Sequence, residues 1–283
     1  MERSFWREVI DNRYRLPEGY TLEESLEELT VELVGYLSST DPELRDSFAY
    51  NVLARWIIIY GHYNSNELRT MIEWLLPGLG TGLGEQNTDT VFLRSYAALI
   101  LSLIAYRDVQ TNFLEDAEVR SLLDRARHYL LAEQDLRGYV PEKGWANACG
   151  NCADLLKYLA RNPLLEVPDL TRILDSISDK LTSTTSVVHQ HDEDDRLAQV
   201  VLSVLRRDMM TVYELTNWLN RFLDWKNSQG DTQVFNEVYQ ITYHNIKGFL
   251  RSLFCYMEAA SQLPVEADDF IPELLGAIRV FSL

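Results

Sequence analysis

Apolar side chains return at every third or fourth position through most of this chain, a period that suits α-helices and no other regular structure. The clearest run is Leu22, Leu26, Leu29, Leu33 and Leu37, with Glu23, Glu24, Glu27, Glu28 and Glu32 on the remaining surface. One face is written for a core and the other for water. Thr21 and Glu24 spell a capping box, which predicts a helix start there. A second stripe runs through Leu215, Trp218, Leu219, Phe222 and Trp225. Residues 234–243 are rich in strand-favouring types, but the spacing of Phe235, Tyr239, Thr242, Ile246, Phe249 and Leu253 assigns them to a helix.

The expected fold class is therefore all-α. Asp41 can cap a helix whose first turn holds Pro42, where a missing amide hydrogen costs nothing, and that helix reads to about Tyr60. Further helices are expected near 66–76, 89–106, 116–133, 145–161, 168–182, 192–207, 211–227, 235–260 and 269–281. Only 13 Gly and 8 Pro punctuate 283 residues, too few for the many tight turns of a β-sandwich or barrel. The run Asp41-Pro42-Glu43-Leu44-Arg45 resembles the start of a HEAT-type helix pair, and Asp116-Ala117-Glu118-Val119-Arg120 echoes it. The two starts, at 41 and 116, lie close to two periods of about 40 residues apart. Two unrelated caps with acidic first turns would give the same letters. No linker or low-complexity tract interrupts the chain, so the expectation is one domain over 1–283: an α-α superhelix, a HEAT-like stack of helical hairpins.

Charge narrows the function. The chain carries 43 acidic and 26 basic residues, a net charge of −17, which repels phosphate backbones and anionic lipid, so neither nucleic acid nor membrane is expected as a partner. The first residues lack the apolar stretch of a signal peptide, and the apolar runs at Trp56–Tyr60 and Ala97–Ala105 fall short of the roughly 20 residues that span a bilayer. Three cysteines, at 149, 152 and 255, fit a reducing compartment. The expected location is cytoplasmic.

The densest polar segment is residues 133–154, between two expected helices. It brings Glu133, Asp135, Arg137 and Lys143 together with the large aromatic Trp145. Charges of both signs beside a large aromatic at a helix mouth are suited to binding. Glu85, Asp89 and Arg94 upstream, and Asp195 and Arg196 downstream, are candidates for the same site, with Asp195 and Arg196 expected to pair with the charged loop around residue 135.

Taken in order, Gly80-Thr81-Gly82-Leu83-Gly84-Glu85, Thr88-Asp89-Thr90-Val91-Phe92-Leu93-Arg94-Ser95, Asp135-Leu136-Arg137-Gly138, Lys143-Gly144-Trp145-Ala146 and Asp194-Asp195-Arg196-Leu197-Ala198 resemble an uncharacterised bacterial family, domain of unknown function 2785. The resemblance covers roughly residues 25–225 and implies no reaction. It does imply two histidines four residues apart after the Gly-Trp-Ala segment, and here Asn147 and Asn151 stand in those places. Neutral amides ligate transition metals poorly and do not titrate, so the pair is read as hydrogen-bonding groups.

Other suggestive runs have plainer readings. Cys149 and Cys152 form a Cys-x-x-Cys with no βαβ setting and no further zinc ligands, and are read as small buried side chains. His189-Gln190-His191-Asp192-Glu193-Asp194-Asp195 is read as a solvated loop in which Asp192 or Asp194 caps the next helix. The glycines between 78 and 84 lack the preceding strand of a dinucleotide fingerprint and the Lys-Ser/Thr of a P-loop, and are read as a connector. No metal and no cofactor is predicted. The leading functional reading is a helical-repeat binding or scaffold protein that uses a concave polar and aromatic groove and whose partner is a protein or small molecule. The alternative is an enzyme or small-ligand binder with a carboxylate and guanidinium pocket around 133–154. Oligomeric state is left open.

Overall fold

The structure, a computed structural model, describes residues 1–183, 185–229, 236–260 and 262–282, apart from the side chains of Leu22 and Glu24. The helices are α1 (Arg3–Asp11), α2 (Leu22–Tyr36), α3 (43–60), α4 (Ser65–Gly80), α5 (Thr90–Thr111), α6 (Asp116–Ala132), α7 (Ala148–Ala160), α8 (Val167–Thr182), α9 (Glu193–Leu205), α10 (Val212–Ser228), α11 (Glu237–Ala259) and α12 (Val265–Val280). Among the described residues one small antiparallel hairpin, β1 (Tyr139–Val140) and β2 (Gly144–Trp145), interrupts an otherwise all-α helical stack.

Most expected helices stand where the apolar period put them. Leu29, Leu33 and Leu37 are fully buried, as are Phe222, Ile246, Phe249 and Leu253. The expected capping box at Thr21 needs Glu24, whose side chain lies outside those described, as does the expected start of α11 at Phe235. One helix is additional to those expected, and two expectations need correction. Residues 3–11 form a helix that composition at the N-terminus did not suggest, held by burial of Trp6 and Val9. Gly78 and Gly80 belong to α4, not to a connector. Gly78 presses so closely on α5 that an added Cβ would come within 3.2 Å of Ala97 Cβ, so glycine serves helix packing there. Trp145 begins no helix: it sits in β2, and α7 starts three residues later.

The chain divides into two compact units. The first comprises residues 1–118 and 132–155, the second 119–131 and 156–283. In the first, α4 packs on α5, α2 on the start of α3, and α5 on its end. Helix α3 is wide-turned at both ends, with the Asn51 amide reaching back five residues to the Asp46 carbonyl. Its core includes Trp6, Phe48, Trp56, Phe92 and Ile100. The Trp56 indole donates to the Tyr14 carbonyl at 2.8 Å, which ties α3 to the turn after α1. Among the described residues, α5 alone is long and apolar enough to cross a membrane, but 67% of its apolar window is buried against the protein, as in a core helix.

In the second unit alternate helices lie side by side: α8 packs on α10 and α10 on α12, while α9 packs on α11. Cross-contacts of α8 with α9 and of α11 with α12 join the two rows. The Trp218 indole donates to the Leu174 carbonyl at 2.8 Å, and Phe222 and Phe249 complete an aromatic cluster around it. Polar links repeat between corresponding helices. Arg127 donates to Ser176 at 2.8 Å and Arg221 pairs with Asp175 at 3.2 Å, each bridging one helix to the next but one.

Candidate functional site

At the centre of the first unit lies an ion pair with no access to water. Arg94, on α5, has a fully buried side chain and faces Glu133, 1% exposed, with two parallel contacts: Nε to Oε2 at 2.5 Å and Nη2 to Oε1 at 3.0 Å. The remaining guanidinium hydrogens go to Thr90 Oγ1 (2.8 Å) and to the Thr81 and Glu85 carbonyls (both 3.3 Å). One buried cation thus holds the glycine-rich turn, the start of α5 and the end of α6. A fork with several donors can do this, whereas an ammonium could not. Glu85 is exposed, and hydrogen bonds from Thr90 and Thr88 hold its carboxyl below the usual range.

The next turn of chain repeats the device. Glu133 Oε1 also accepts the Asp135 amide at 2.8 Å, and the buried Asp135 carboxylate accepts the Asn87 amide at 2.9 Å and the Arg137 guanidinium through Nε (2.8 Å) and Nη2 (2.7 Å). Arg137 Nη2 reaches on to the Thr88 carbonyl at 2.7 Å. Lys143 pairs with Asp89 at 2.7 Å in the open, where both side chains are about two-fifths to one-half exposed. Breaking such a pair costs little next to removing one partner of a buried one.

These contacts seat the β1–β2 hairpin, and the residue that clamps it was not among the sequence candidates. Arg45, on α3, is fully buried, donates to the Ser39 carbonyl (2.8 Å) and the Lys143 carbonyl (2.6 Å), and pairs with Asp46 at 2.9 Å. Its guanidinium also lies over the rings of Phe92 (4.2 Å) and Tyr96 (4.9 Å). Burial, with the nearby Asp46 charge, pushes the Tyr96 hydroxyl up, so it stays neutral. The approach of Arg45 requires Gly144: with φ at +81°, a Cβ there would stand 2.9 Å from Arg45 Nη2. Arg45 was visible in the sequence only as part of a helix-start pattern, because the hairpin carbonyl it holds, that of Lys143, lies 98 residues away.

Beyond the hairpin, Ser95 donates to the Ala146 carbonyl, and Asn151 Nδ2 donates to Ser95 Oγ at 2.8 Å. Asn151 therefore hydrogen-bonds beneath the loop. Asn147 adopts the left-handed conformation (φ +51°), its amide donates to the Arg137 carbonyl at 3.0 Å, and its buried Oδ1 accepts no hydrogen bond. Cys149 and Cys152 are buried, and no group of three or more His, Cys, Asp or Glu suited to a metal occurs among the described residues.

What this framework presents outward is aromatic. Tyr139 and Trp145 face each other across the hairpin register, 55% and 45% exposed, with ring centroids 5.4 Å apart and planes at 78°. Tyr139 was not among the sequence candidates, although Trp145 was. The structure thus brings Glu85, Asp89, Arg94, Glu133, Asp135, Arg137, Lys143, Trp145, Asn147 and Asn151 into one region of the first unit. Asp195 and Arg196 are on α9, in the second unit.

The histidine and aspartate run before α9 is built differently from the expectation. Asp192 precedes the helix in left-handed conformation and makes no side-chain cap. Instead the buried Glu193 turns back to accept the amides of Gln190 (3.0 Å) and His191 (2.8 Å). His189 Nδ1 is buried without a hydrogen bond, and burial, aided by Lys180 on α8 and His244 on α11 against the opposing pull of Glu193, lowers its pKa below the usual 6.5. The unfolded chain therefore takes up a proton that the folded one resists, and stability is lost as pH falls below about 6.5. Urea unfolding at pH 7.5 and 5.5 should show a smaller loss on acidification for His189→Gln than for wild type. Equal losses would refute a neutral buried imidazole.

Fold and site together define an all-α helical stack with an ion-paired loop under an exposed aromatic pair. The model of a protein family of unknown function, DUF2785, matches residues 79–255, more than half of the chain, and the chain belongs to that family. The match starts later and ends later than the motifs alone suggested. No curated protein and no solved structure is detectably similar to it.

Proposed function

We propose that the chain is a binding or scaffold protein of HEAT-like build, working in the cytoplasm, that engages a partner protein through the β1–β2 hairpin. The observation that carries this reading is the exposed Tyr139 and Trp145 pair on a hairpin whose backbone is clamped by buried Arg45. Leaving apolar ring surface in water forgoes roughly 25 cal/mol for each Å² that burial would remove. Rigid aromatics lose little entropy on docking, which is why they dominate interfaces. The HEAT-like reading draws on the α8, α10, α12 row and on polar links that recur between alternate helices.

A second reading, a small-ligand or enzyme site in the same segment, draws on the unbonded Oδ1 of Asn147, a buried acceptor that a ligand donor would satisfy. The carboxylates and guanidinia of Glu133, Asp135, Arg94 and Arg137 already satisfy one another, so binding by the aromatic pair is preferred.

The test is a quantitative pull-down with wild type and Tyr139→Ala/Trp145→Ala, both checked for unchanged circular dichroism. The variant should lose a defined subset of partners by tenfold or more, in line with about 1.4 kcal/mol or more from two central aromatics. Identical partner lists would remove the case for this surface.

A further inference from the structure

We propose that the cavity between α2 and the start of α4, in the first unit, is a binding site for a small alkylammonium compound, held by charge at Glu27 and Glu67 and by its apolar stem on Leu26 and Trp74. The cavity measures about 230 Å³. That is below the roughly 300–1,000 Å³ of sites for drug-sized ligands, so the occupant is small.

Three features of its wall select the chemistry. The wall away from the carboxylates is uncharged: Leu26 is half-buried, Met71 is fully buried behind it, and the buried Thr30 hydroxyl donates to the Leu26 carbonyl at 2.6 Å and lies 2.8 Å from the buried Tyr63 hydroxyl, which therefore donates to it. Burial first, and the Glu67 charge second, push the Tyr63 hydroxyl up, so the phenol is neutral and offers no anion there. The mouth is acidic, since Glu27 and Glu67 are both exposed there. Among the described residues no Lys, Arg or His lines the cavity, and neither carboxylate forms an ion pair. Glu67 Oε2 accepts the Asn64 amide at 2.7 Å as part of a capping box, which fixes the side chain at the mouth.

The third feature is Trp74, a large aromatic left 36% exposed on the cavity wall. Trp offers the most favourable ring face to a cation, and a carboxylate beside such a face is the recognition chemistry of organic ammonium groups. An uncharged ligand would leave the carboxylates unanswered, and an inorganic cation would leave Leu26 and Trp74 uncovered. The net charge of −17 raises the local concentration of any cation. This site shares no residue with the hairpin, so its success or failure is independent of the hairpin reading.

The experiment titrates the ¹⁵N-labelled full chain at low ionic strength with n-butylammonium chloride, 1-butanol and Nα-acetyl-lysine methylamide, following the Trp74 indole resonance and, for every variant including Trp74→Leu, the backbone amides of Thr70 and Met71. Expected is a saturable shift with n-butylammonium and a response at least tenfold weaker with 1-butanol. Glu27→Gln, Glu67→Gln and Trp74→Leu should each weaken binding roughly threefold or more. Glutamine retains the oxygen the capping box uses, so Glu67→Gln removes charge and not the helix start. Glu237→Gln, outside the cavity, should leave affinity unchanged. The proposal is overturned if no saturable response occurs, if butanol matches the amine, if the cavity variants bind as wild type, or if Glu237→Gln weakens binding equally. It is overturned too if the lysine amide binds while the free amine does not, since the occupant would then be a peptide.

Discussion

Arg94→Ala should lower stability by about 3–5 kcal/mol, the range seen when one partner of a buried ion pair is removed. The substitution leaves Glu133 charged and 1% exposed, without the guanidinium that faces both of its carboxylate oxygens. It also strips Thr90 Oγ1 and the Thr81 and Glu85 carbonyls of their donor. Arg94→Lys should recover little, because one ammonium cannot reproduce the two parallel contacts and the branches beyond them. The double variant Arg94→Met/Glu133→Leu should recover more than half of the loss, since two apolar side chains of similar size leave no buried charge behind. Lys143→Ala breaks a pair on the surface of the same region and should cost less than about 1 kcal/mol. Urea unfolding of the four variants checks the set. A loss under 1 kcal/mol for Arg94→Ala would mean that water reaches Glu133.

Gly144→Ala should be the most damaging single methyl in the hairpin, at about 3 kcal/mol. One part is backbone: φ of +81° is costly for any residue with a Cβ, on the order of 1–3 kcal/mol. The other part is collision, with Arg45 Nη2 at 2.9 Å and Pro42 Cβ at 3.2 Å from the added carbon. Arg45 cannot retreat without losing the Lys143 carbonyl, a charge-assisted bond with a net contribution of roughly 1.5–3 kcal/mol. Because both substitutions break that same contact, Gly144→Ala combined with Arg45→Ala should cost measurably less than the sum of the two. A double-mutant cycle reads the difference, expected at 0.5–3 kcal/mol for residues in contact. Strict additivity would show that Arg45 does not clamp the hairpin.

These two predictions mark where sequence reasoning stopped. The spacing of Leu29, Leu33 and Leu37, or of Leu215, Trp218, Leu219 and Phe222, identifies helices and their buried faces because a helix repeats within a few residues. Trp145 was legible as a large side chain in a charged segment but was assigned to the helix that follows. A two-residue strand carries no periodicity, and only its pairing with Tyr139 distinguishes it from a helix start. The run from His189 to Asp195 was legible as a helix start, but the residue that closes it, Glu193, depends on how the loop before α9 folds back.

By itself, then, the sequence determined that the chain is all-α, where most helices run, which of their faces are apolar, and which segment concentrates polar and aromatic groups. All of these are set by neighbours three or four positions apart. Only the tertiary structure decided that Arg94 belongs to Glu133, that Arg45 holds the carbonyl of Lys143, and that Thr30, Tyr63, Met71 and Trp74 enclose a cavity. Such pairings join residues dozens of positions apart. They follow from how helices pack, since a buried charge or donor must find its partner among whatever side chains and carbonyls packing brings within 3 Å, and no local pattern records which those are.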